Sequence, residues 1–228
     1  MKRLACFLIV PMLAFVVSCT TDSDDDGDDW DAAKVCPETG TNAYGMSNRG
    51  TFTDERDGLV YKYTTIGDQV WMAENLNYDA PYSHCEDIFD DSCKTFGRFY
   101  SFFKDGNTDF YTRQLDASLL SSTCPDGWHI PSEDEWNTLF QIMGKDAAAK
   151  LKGKDYWGYY RREGEDSCAF GVLPSGKFGY SGVHSLFLLA VFASSTLISD
   201  TEQVVVLFES GISSGTVELK MPVRCIKD

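Results

Sequence analysis

The first nineteen residues constrain the fold most, because they determine in which compartment the rest of the chain folds. Met1-Lys2-Arg3 is a basic start, residues 4–17 are apolar apart from Pro11, and a small residue, Ser18, precedes Cys19. Such a sequence is typical of a secretory signal. The apolar stretch is shorter than the roughly 20 residues that cross a bilayer. The chain is therefore expected to fold after export, where disulfides persist.

A cysteine directly after the small residue resembles the lipobox of bacterial lipoproteins. The resemblance implies a signal peptide over residues 1–18, cleavage before Cys19 and acylation (palmitate) of that thiol; an ordinary signal peptide with an incidental cysteine is the alternative. The aspartate-rich stretch at 22–31 resembles the surface-export signals of some Gram-negative lipoproteins. We expect an extracytoplasmic protein of the cell envelope, held by lipid on a bacterial membrane, with the outer membrane and its cell surface as the expected place.

The charge of the chain excludes one class of partner. The formal net charge is −15 at pH 7, and loss of Lys2 and Arg3 with the signal makes it more negative. Such a surface repels phosphate backbones, so we expect no nucleic-acid partner. It also repels bare anionic headgroups, so the lipid rather than a basic patch should hold the protein on its membrane.

Cysteine usage predicts a disulfide-stapled domain. The chain has eight cysteines, of which Cys6 leaves with the signal and Cys19 carries the lipid. An even remainder in an exported chain favours three disulfides, and fifteen pairings are open. A thiol metal site is the alternative, but there is no Cys-x-x-Cys and the three histidines are scattered, so we expect no metal and no cofactor. The remaining six are Cys36, Cys85, Cys93, Cys124, Cys168 and Cys225.

The secondary-structure signals predict mixed α and β structure. Residues 59–66 and 69–73 are rich in β-formers and flank Gly67-Asp68, which predicts a hairpin. Strands are also expected over 186–193, 204–208 and 217–226, a turn over 211–215 and a short helix over 145–152. The dense aromatic block at 96–103 favours core packing. Residues 19–49 are predicted to be an acidic, disordered tether after the lipidated cysteine, with order beginning near Gly50.

One amphipathic helix is predicted near 132–143. Ser132 and Glu135 have the spacing of a capping box. Trp136, Leu139 and Met143 then recur on one helical face, and Gly144 is a natural stop. Capping and the helix dipole account for the acidic residues of the first turn, so we assign them no acid–base chemistry.

Four blocks of sequence resemble those of one family. They are Gly50-Thr-Phe-Thr-Asp54; Ile66-Gly-Asp-Gln-Val-Trp-Met-Ala-Glu-Asn-Leu-Asn-Tyr78; Cys124-Pro-Asp-Gly-Trp-His-Ile-Pro-Ser132; and Val223-Arg-Cys-Ile-Lys-Asp228. Together they resemble the Fibrobacter succinogenes major paralogous domain over residues 50–228. The resemblance implies an α+β, loop-rich domain with twisted antiparallel strands, similar to the formylglycine-generating sulfatase-modifying fold and to C-type lectins.

The resemblance also implies a disulfide pairing. A cysteine before the helix joined to one in the last strand is the clasp of the lectin-like group, which corresponds to Cys124–Cys225. Cys85–Cys93 follows as the next pair, and Cys36–Cys168 is what remains.

The resemblance implies an exported lipoprotein of undefined biochemistry, which leaves three function classes: an enzyme, a binding or adhesion module, and a structural protein of the envelope. No hydrolase, metalloprotease or phosphate-loop motif occurs, and no catalytic residue is assigned, although a glycosidase carboxylate pair needs no proximity in sequence. The calcium-dependent lectin motifs are absent too. We predict a noncatalytic recognition or adhesion module; a structural envelope-assembly protein, or an enzyme of glycan metabolism, is the alternative.

The expected ligand is a polysaccharide or an envelope protein. Aromatic stacking on sugar rings is assigned to Trp157, Tyr159 and Tyr160, with Arg161 or Asp155 bonding hydroxyls. The alternative for these aromatic residues is that they are tucked into the domain.

Overall fold

The computed structural model describes residues 29–86, 89, 91–109, 111–157, 164–179, 181–208, 212–216 and 220–228. These contain five α-helices, twelve strands and one 3₁₀ helix, Lys104–Gly106. The helices are α1 (Ala32–Val35), α2 (Ser92–Phe96), α3 (Ala117–Ser122), α4 (Glu133–Met143) and α5 (Ala147–Leu151). The strands are β1 (Arg49–Thr53), β2 (Val60–Ile66), β3 (Gln69–Met72), β4 (Ser83–His84), β5 (Phe99–Tyr100), β6 (Trp128–His129), β7 (Lys177–Gly179), β8 (Gly182–His184), β9 (Ala190–Ser199), β10 (Glu202–Phe208), β11 (Ile212–Thr216) and β12 (Ile226–Lys227). The predicted α+β class is confirmed.

The largest sheet is antiparallel and has the order β1-β2-β3-β12-β6. Its β2–β3 hairpin pairs Ile66 with Gln69 across a two-residue turn, as the sequence predicts. Gly67 has a φ of +57° in that turn, where a residue without Cβ is favoured. Strand β12 lies between β3 and β6, so the carboxyl-terminal segment runs beside the residues that follow β3.

A second antiparallel sheet has the order β11-β10-β9. Strand β9 begins at Ala190, not at Leu186 as predicted, because Ser185 and Phe187 have left-handed φ values of +55° and +65°. The turn expected over 211–215 is wrong, since residues 212–216 form β11 and pair with β10. Of the last predicted strand, over 217–226, Lys220 and Met221 form isolated bridges and Ile226 begins β12, while residues 217–219 lie outside the described residues.

Helix α4 confirms the prediction for residues 132–143. The Ser132 hydroxyl accepts from the Glu135 amide, and the Glu135 carboxylate accepts from the Ser132 amide. Trp136 is completely buried, with its ring centroid 4.7 Å from that of Trp71 and 5.6 Å from that of Phe192. The helix therefore joins the two sheets through one aromatic core.

Buried side chains form two clusters. One contains the residues just described around α4, with Phe170 and Phe208. The other lies on the opposite part of the large sheet and takes in most of the aromatic block at 96–103, which is buried as predicted. Each cluster holds one long-range disulfide.

The structure contains three disulfides, which are the three pairs implied by the resemblance. Cys124–Cys225 and Cys36–Cys168 each span more than 100 residues of sequence, and Cys85–Cys93 spans eight. The Cα–Cα distances are 6.0, 5.5 and 5.7 Å, within the range of disulfides. Three such bonds indicate an oxidising setting outside the cytoplasm.

The folded part begins before Gly50, which corrects the expected limit of the tether for residues 29–49. Cys36 is 1 % exposed and bonded to Cys168, the Val35 carbonyl accepts from the Gly67 amide at 2.7 Å, and Trp30 lies under the Lys150 ammonium at 4.1 Å. The sequence masks this because the aspartates that dominate its composition end at Asp31, before a short apolar helix. Cys19 and the remainder of the predicted tether lie outside the described residues.

Within the part of the chain that the structure describes, no helix combines the length and the apolar character that crossing a membrane requires.

Candidate functional site

A cleft of about 500 Å³ opens beside the end of strand β3. Its lining comes from six parts of the chain: Lys62 of β2, residues 73–75, residues 94–95 of α2, the loop at 153–155, the segment around 166–173, and Arg224. The carboxyl-terminal segment passes beneath, because the Leu76 amide donates to the Val223 carbonyl and the Met72 amide to that of Cys225. This pairing brings Arg224 to the cleft.

Arg224 is 1 % exposed and carries a charge beneath the cleft. Its Nε donates to Asn75 Oδ1 at 3.2 Å, its Nη1 donates to the Phe170 carbonyl, and its guanidinium lies 4.7 Å from the Phe170 ring centroid. No carboxylate among the described residues forms an ion pair with it. Burial lowers the pKa of Arg224 to about 9, against the opposing effects of Asp166 and Glu74, so the group stays cationic at neutral pH.

Three carboxylates also line the cleft, and they differ in their ion pairs and hydrogen bonds. The Glu74 carboxylate forms an ion pair with the Lys62 ammonium at 3.1 Å and accepts a hydrogen bond from the Lys62 amide at 3.0 Å. Asp166 accepts from the Gly171 amide at 2.8 Å, and burial raises its pKa despite the nearby cations. Asp155 is exposed and has no ion pair within the described residues. The cleft therefore offers both donors and acceptors to a polar ligand.

Three near-parallel rings lie next to the cleft, and we call Phe89, Tyr156 and Phe187 the aromatic platform. The Tyr156 ring centroid is 6.3 Å from that of Phe89 and 6.2 Å from that of Phe187, with planes inclined by 17° and 14°. The buried Phe96 ring supports Tyr156 at 5.3 Å. Tyr156 is 46 % exposed, and the other two platform rings are half-buried. A cluster of parallel, partly exposed aromatic rings can contact the apolar face of a sugar ring.

The platform and the cleft are joined through the chain. Asp155, in the cleft, precedes Tyr156, and Thr95, also in the cleft, precedes Phe96. The platform therefore lies beside the cleft, although its three rings are not part of the cleft lining.

Backbone strain is concentrated at this surface. Among the described residues, nine that are not glycine have a left-handed φ, and four of them are Tyr156, Asp166, Ala169 and Phe187. For a bulky aromatic residue such a φ is an outlier that costs about 1–3 kcal/mol. Strained residues persist where the surroundings fix them, and they are frequent at binding sites.

A second, shallower depression of about 300 Å³ adjoins the cleft. Lys94 lines both, and the second one is completed by the Cys85–Cys93 disulfide, Asn77 and Arg98. We call the two depressions, which share Lys94, the groove.

The structure places the residues that the sequence assigned to binding in different environments. Asp155 lines the cleft. Trp157 is 8 % exposed, its indole N–H donates to the Val172 carbonyl at 3.1 Å and the Lys152 ammonium lies 4.0 Å from its ring, so its face is covered and the assignment as a stacking surface is wrong. Tyr159, Tyr160 and Arg161 lie outside the described residues.

The platform residues were missed by reasoning from the sequence. Tyr156 adjoins the tryptophan that was chosen instead, and nothing in the local pattern tells which of two neighbouring aromatic side chains is exposed. Phe187 was assigned to a buried strand because it lies in the apolar run that begins at Leu186. The three platform residues are far apart in sequence, so only the tertiary structure shows that their rings meet.

A second group of titratable residues surrounds His129. Its Nδ1 lies 2.7 Å from Asp228 Oδ1 and its Nε2 lies 2.9 Å from Glu135 Oε1. The Glu135 hydrogen bond, acting against burial, raises the pKa of His129 to about 8; the pKa of Glu135 falls to about 2, burial being outweighed by the bonds from His129 and Ser132. His129 bonds to both carboxylates and so connects Asp228 to the first turn of α4. We therefore interpret the arrangement as a structural ion-pair network.

Comparison with known proteins gives one match. A family model described as the Fibrobacter succinogenes major domain matches residues 64–227, which is most of the chain and begins later than the expected Gly50. No curated protein and no solved structure matches. The similarity to the sulfatase-modifying and C-type lectin folds therefore stays a prediction.

Proposed function

Since the chain belongs to the Fibrobacter succinogenes major domain family, whose model matches residues 64–227, we propose that it is a lipid-anchored protein of the cell envelope whose domain binds polysaccharide without cleaving it. The observation that carries the proposal is the aromatic platform beside the polar cleft. Stacking would supply affinity, while Asp155 and neighbouring charged groups would bond hydroxyls.

The state of the carboxylates supports binding rather than hydrolysis. A glycosidase needs one carboxyl group to give a proton and a second to act as base or nucleophile. Glu74 is held by Lys62, and Asp166 is held by the Gly171 amide. Asp155 is the only one of the three without an ion pair or a hydrogen bond among the described residues, which favours a binding site over a pair of catalytic carboxyl groups.

The placement outside the cell rests on the signal sequence, Cys19 and the disulfides. A groove on a disulfide-stapled domain, tethered by lipid, would present its platform to polymers near the cell. We expect palmitate labelling of the wild-type chain and none of Cys19→Ser; equal labelling of both would contradict the anchor.

Retention on insoluble polysaccharides tests the binding function. The purified mature chain is incubated with cellulose and other plant polysaccharides, with albumin as the reference protein. We expect retention, and a loss of about tenfold in affinity for Tyr156→Ala, which corresponds to roughly 1–1.5 kcal/mol of stacking.

Tyr44→Ala is the matched control. Tyr44 is 43 % exposed, close to the 46 % of Tyr156, and it does not line the cleft. Binding should survive this change. No retention of the wild type above albumin on any polymer would overturn the function, and release of soluble sugars from the polymers would favour an enzyme instead.

A further inference from the structure

Basic residues are concentrated at the groove although the protein as a whole is strongly acidic. The chain has 20 Lys and Arg residues and a formal net charge of −15. Five of the 20 line the cleft or the depression that adjoins it, namely Lys62, Lys94, Lys154, Arg98 and Arg224. Four acidic residues line the same two depressions, namely Asp91, Glu74, Asp155 and Asp166, so the lining has a small formal excess of positive charge while the whole chain is strongly negative.

Some of these basic residues form ion pairs with carboxylates, and others do not. The carboxylate of Glu74 is matched by Lys62 at 3.1 Å, and Arg98 is matched by Asp79 at 3.0 Å. Arg224 is buried and has no ion pair within the described residues, and Lys154 is exposed and likewise has none. Asp166 attracts both cations without forming an ion pair with either, so one cation beneath the cleft and one at its rim lack a direct carboxylate partner among the described residues.

Lys94 is available to a ligand despite its partner. Its ammonium lies 2.7 Å from Asp91, but the two side chains are 76 % and 67 % exposed. An ion pair so exposed contributes little, so a ligand anion can replace it. Lys94 also lines both depressions, which places it at the middle of the groove, where a polymer must pass.

We propose that the ligand is an anionic glycan with carboxylate-bearing sugars that lie over Lys94 and Lys154 while the aromatic platform stacks on a neighbouring sugar ring. This rests on the proposed function and names its substrate class. Asp155 opposes an anion at the rim and so restricts where along the groove a carboxylate can sit, next to Lys154 and away from the acidic side chain.

Polygalacturonate and its fully methyl-esterified form test the proposal, because they share a backbone and differ in charge. Binding of the mature chain to each is measured by affinity electrophoresis and calorimetry at two salt concentrations. We expect the free acid to bind at least tenfold more tightly than the ester at low salt, and the difference to shrink at high salt as the charges are screened.

Three variants assign the effect to the groove. Lys154→Gln should weaken binding of the free acid at least fivefold and leave binding of the ester within twofold. Lys154→Arg, which keeps the charge, should stay within twofold of the wild type. Lys104→Gln, at an exposed lysine outside the groove that bonds Gln114, removes the same charge and should also stay within twofold.

The outcomes separate this inference from the function on which it rests. Equal binding of the acid and the ester, or equal weakening by the Lys104 and Lys154 variants, would overturn the anionic ligand. If neutral polymers bind through Tyr156 while charge has no effect, the recognition function stands and the anionic ligand fails. If no polymer binds, both fail.

Discussion

Replacing Cys36 and Cys168 by alanine should cost about as much stability as replacing Cys124 and Cys225, and more than replacing Cys85 and Cys93. The two cysteines are joined in a disulfide, are 1 % and 0 % exposed, and lie 132 residues apart in the sequence. In the chain-entropy treatment, a disulfide that closes a loop of this length stabilises the folded state by about 5 kcal/mol. By the same treatment, the Cys85–Cys93 disulfide, which closes a loop of eight residues, stabilises the folded state by about 2.5 kcal/mol. The expected difference between the two double variants is therefore about 2.5 kcal/mol.

Urea unfolding under non-reducing conditions measures that difference. The buried rings of Trp71 and Trp136 provide a fluorescence signal for the packed core. Both double variants are compared with the wild type by the extrapolated free energy of unfolding and by the denaturant slope. The slope should rise in both, because a chain with fewer cross-links exposes more surface when it unfolds.

The same variant tests the corrected start of the domain. If the Cys36–Cys168 variant loses under about 1 kcal/mol, or no more than the Cys85–Cys93 variant, the segment from Trp30 to Cys36 is not an integral part of the folded domain. A chain that begins at Gly50 should show the same loss, since it removes the bond and the packing of Trp30 against Lys150 together.

Three further changes have defined outcomes. Ser132→Ala removes the cap of α4 and should cost about 1 kcal/mol in urea unfolding; an unchanged midpoint would contradict the capping box. Gly97→Ala should cost about 2–4 kcal/mol, because φ is +73° with ψ −173° and a Cβ would lie 2.7 Å from the Leu76 carbonyl; a loss under 1 kcal/mol would show that the backbone relaxes. The His129 network should add stability that is complete below about pH 6.5 and lost as pH rises through about 8, since the folded pKa is raised. The Glu135 contribution should be present above about pH 4.5 and lost toward pH 2, since its folded pKa is lowered. Thermal unfolding from pH 3 to 9 checks both, and a His129→Asn variant that keeps the decline above pH 6.5 would refute the assignment.

Local signals in the sequence predicted the elements whose cause is local. The hairpin around Gly67 and the capped helix at Ser132 depend on neighbours within a few residues, and both are present where expected. The family resemblance added what spacing could not, because six cysteines leave fifteen pairings open.

The rest depends on tertiary contacts. Composition predicted a tether up to residue 49, but a few apolar residues and one cysteine anchor residues 30–36 to the core. The apolar run from Leu186 predicted a strand, but two left-handed residues turn the chain and leave Phe187 at the surface.

The candidate site shows the same limit most clearly. Trp157 was assigned to stacking together with Tyr159 and Tyr160, yet its ring is covered by Lys152 and its indole N–H donates to a carbonyl. Its neighbour Tyr156 is turned outward by a left-handed φ that no sequence pattern signals. Exposure at such adjacent positions is decided by the loop, which is set by contacts far along the chain.

A titration followed by nuclear magnetic resonance tests the central claim most directly. The labelled mature chain receives increasing amounts of oligosaccharides derived from the retained polymer, acidic and neutral in separate series. The account predicts saturable shifts confined to the groove, at Lys94, Asp155, Tyr156 and Phe187, with the His129 network unchanged. Shifts that saturate elsewhere on the domain and leave these four residues unmoved would contradict it.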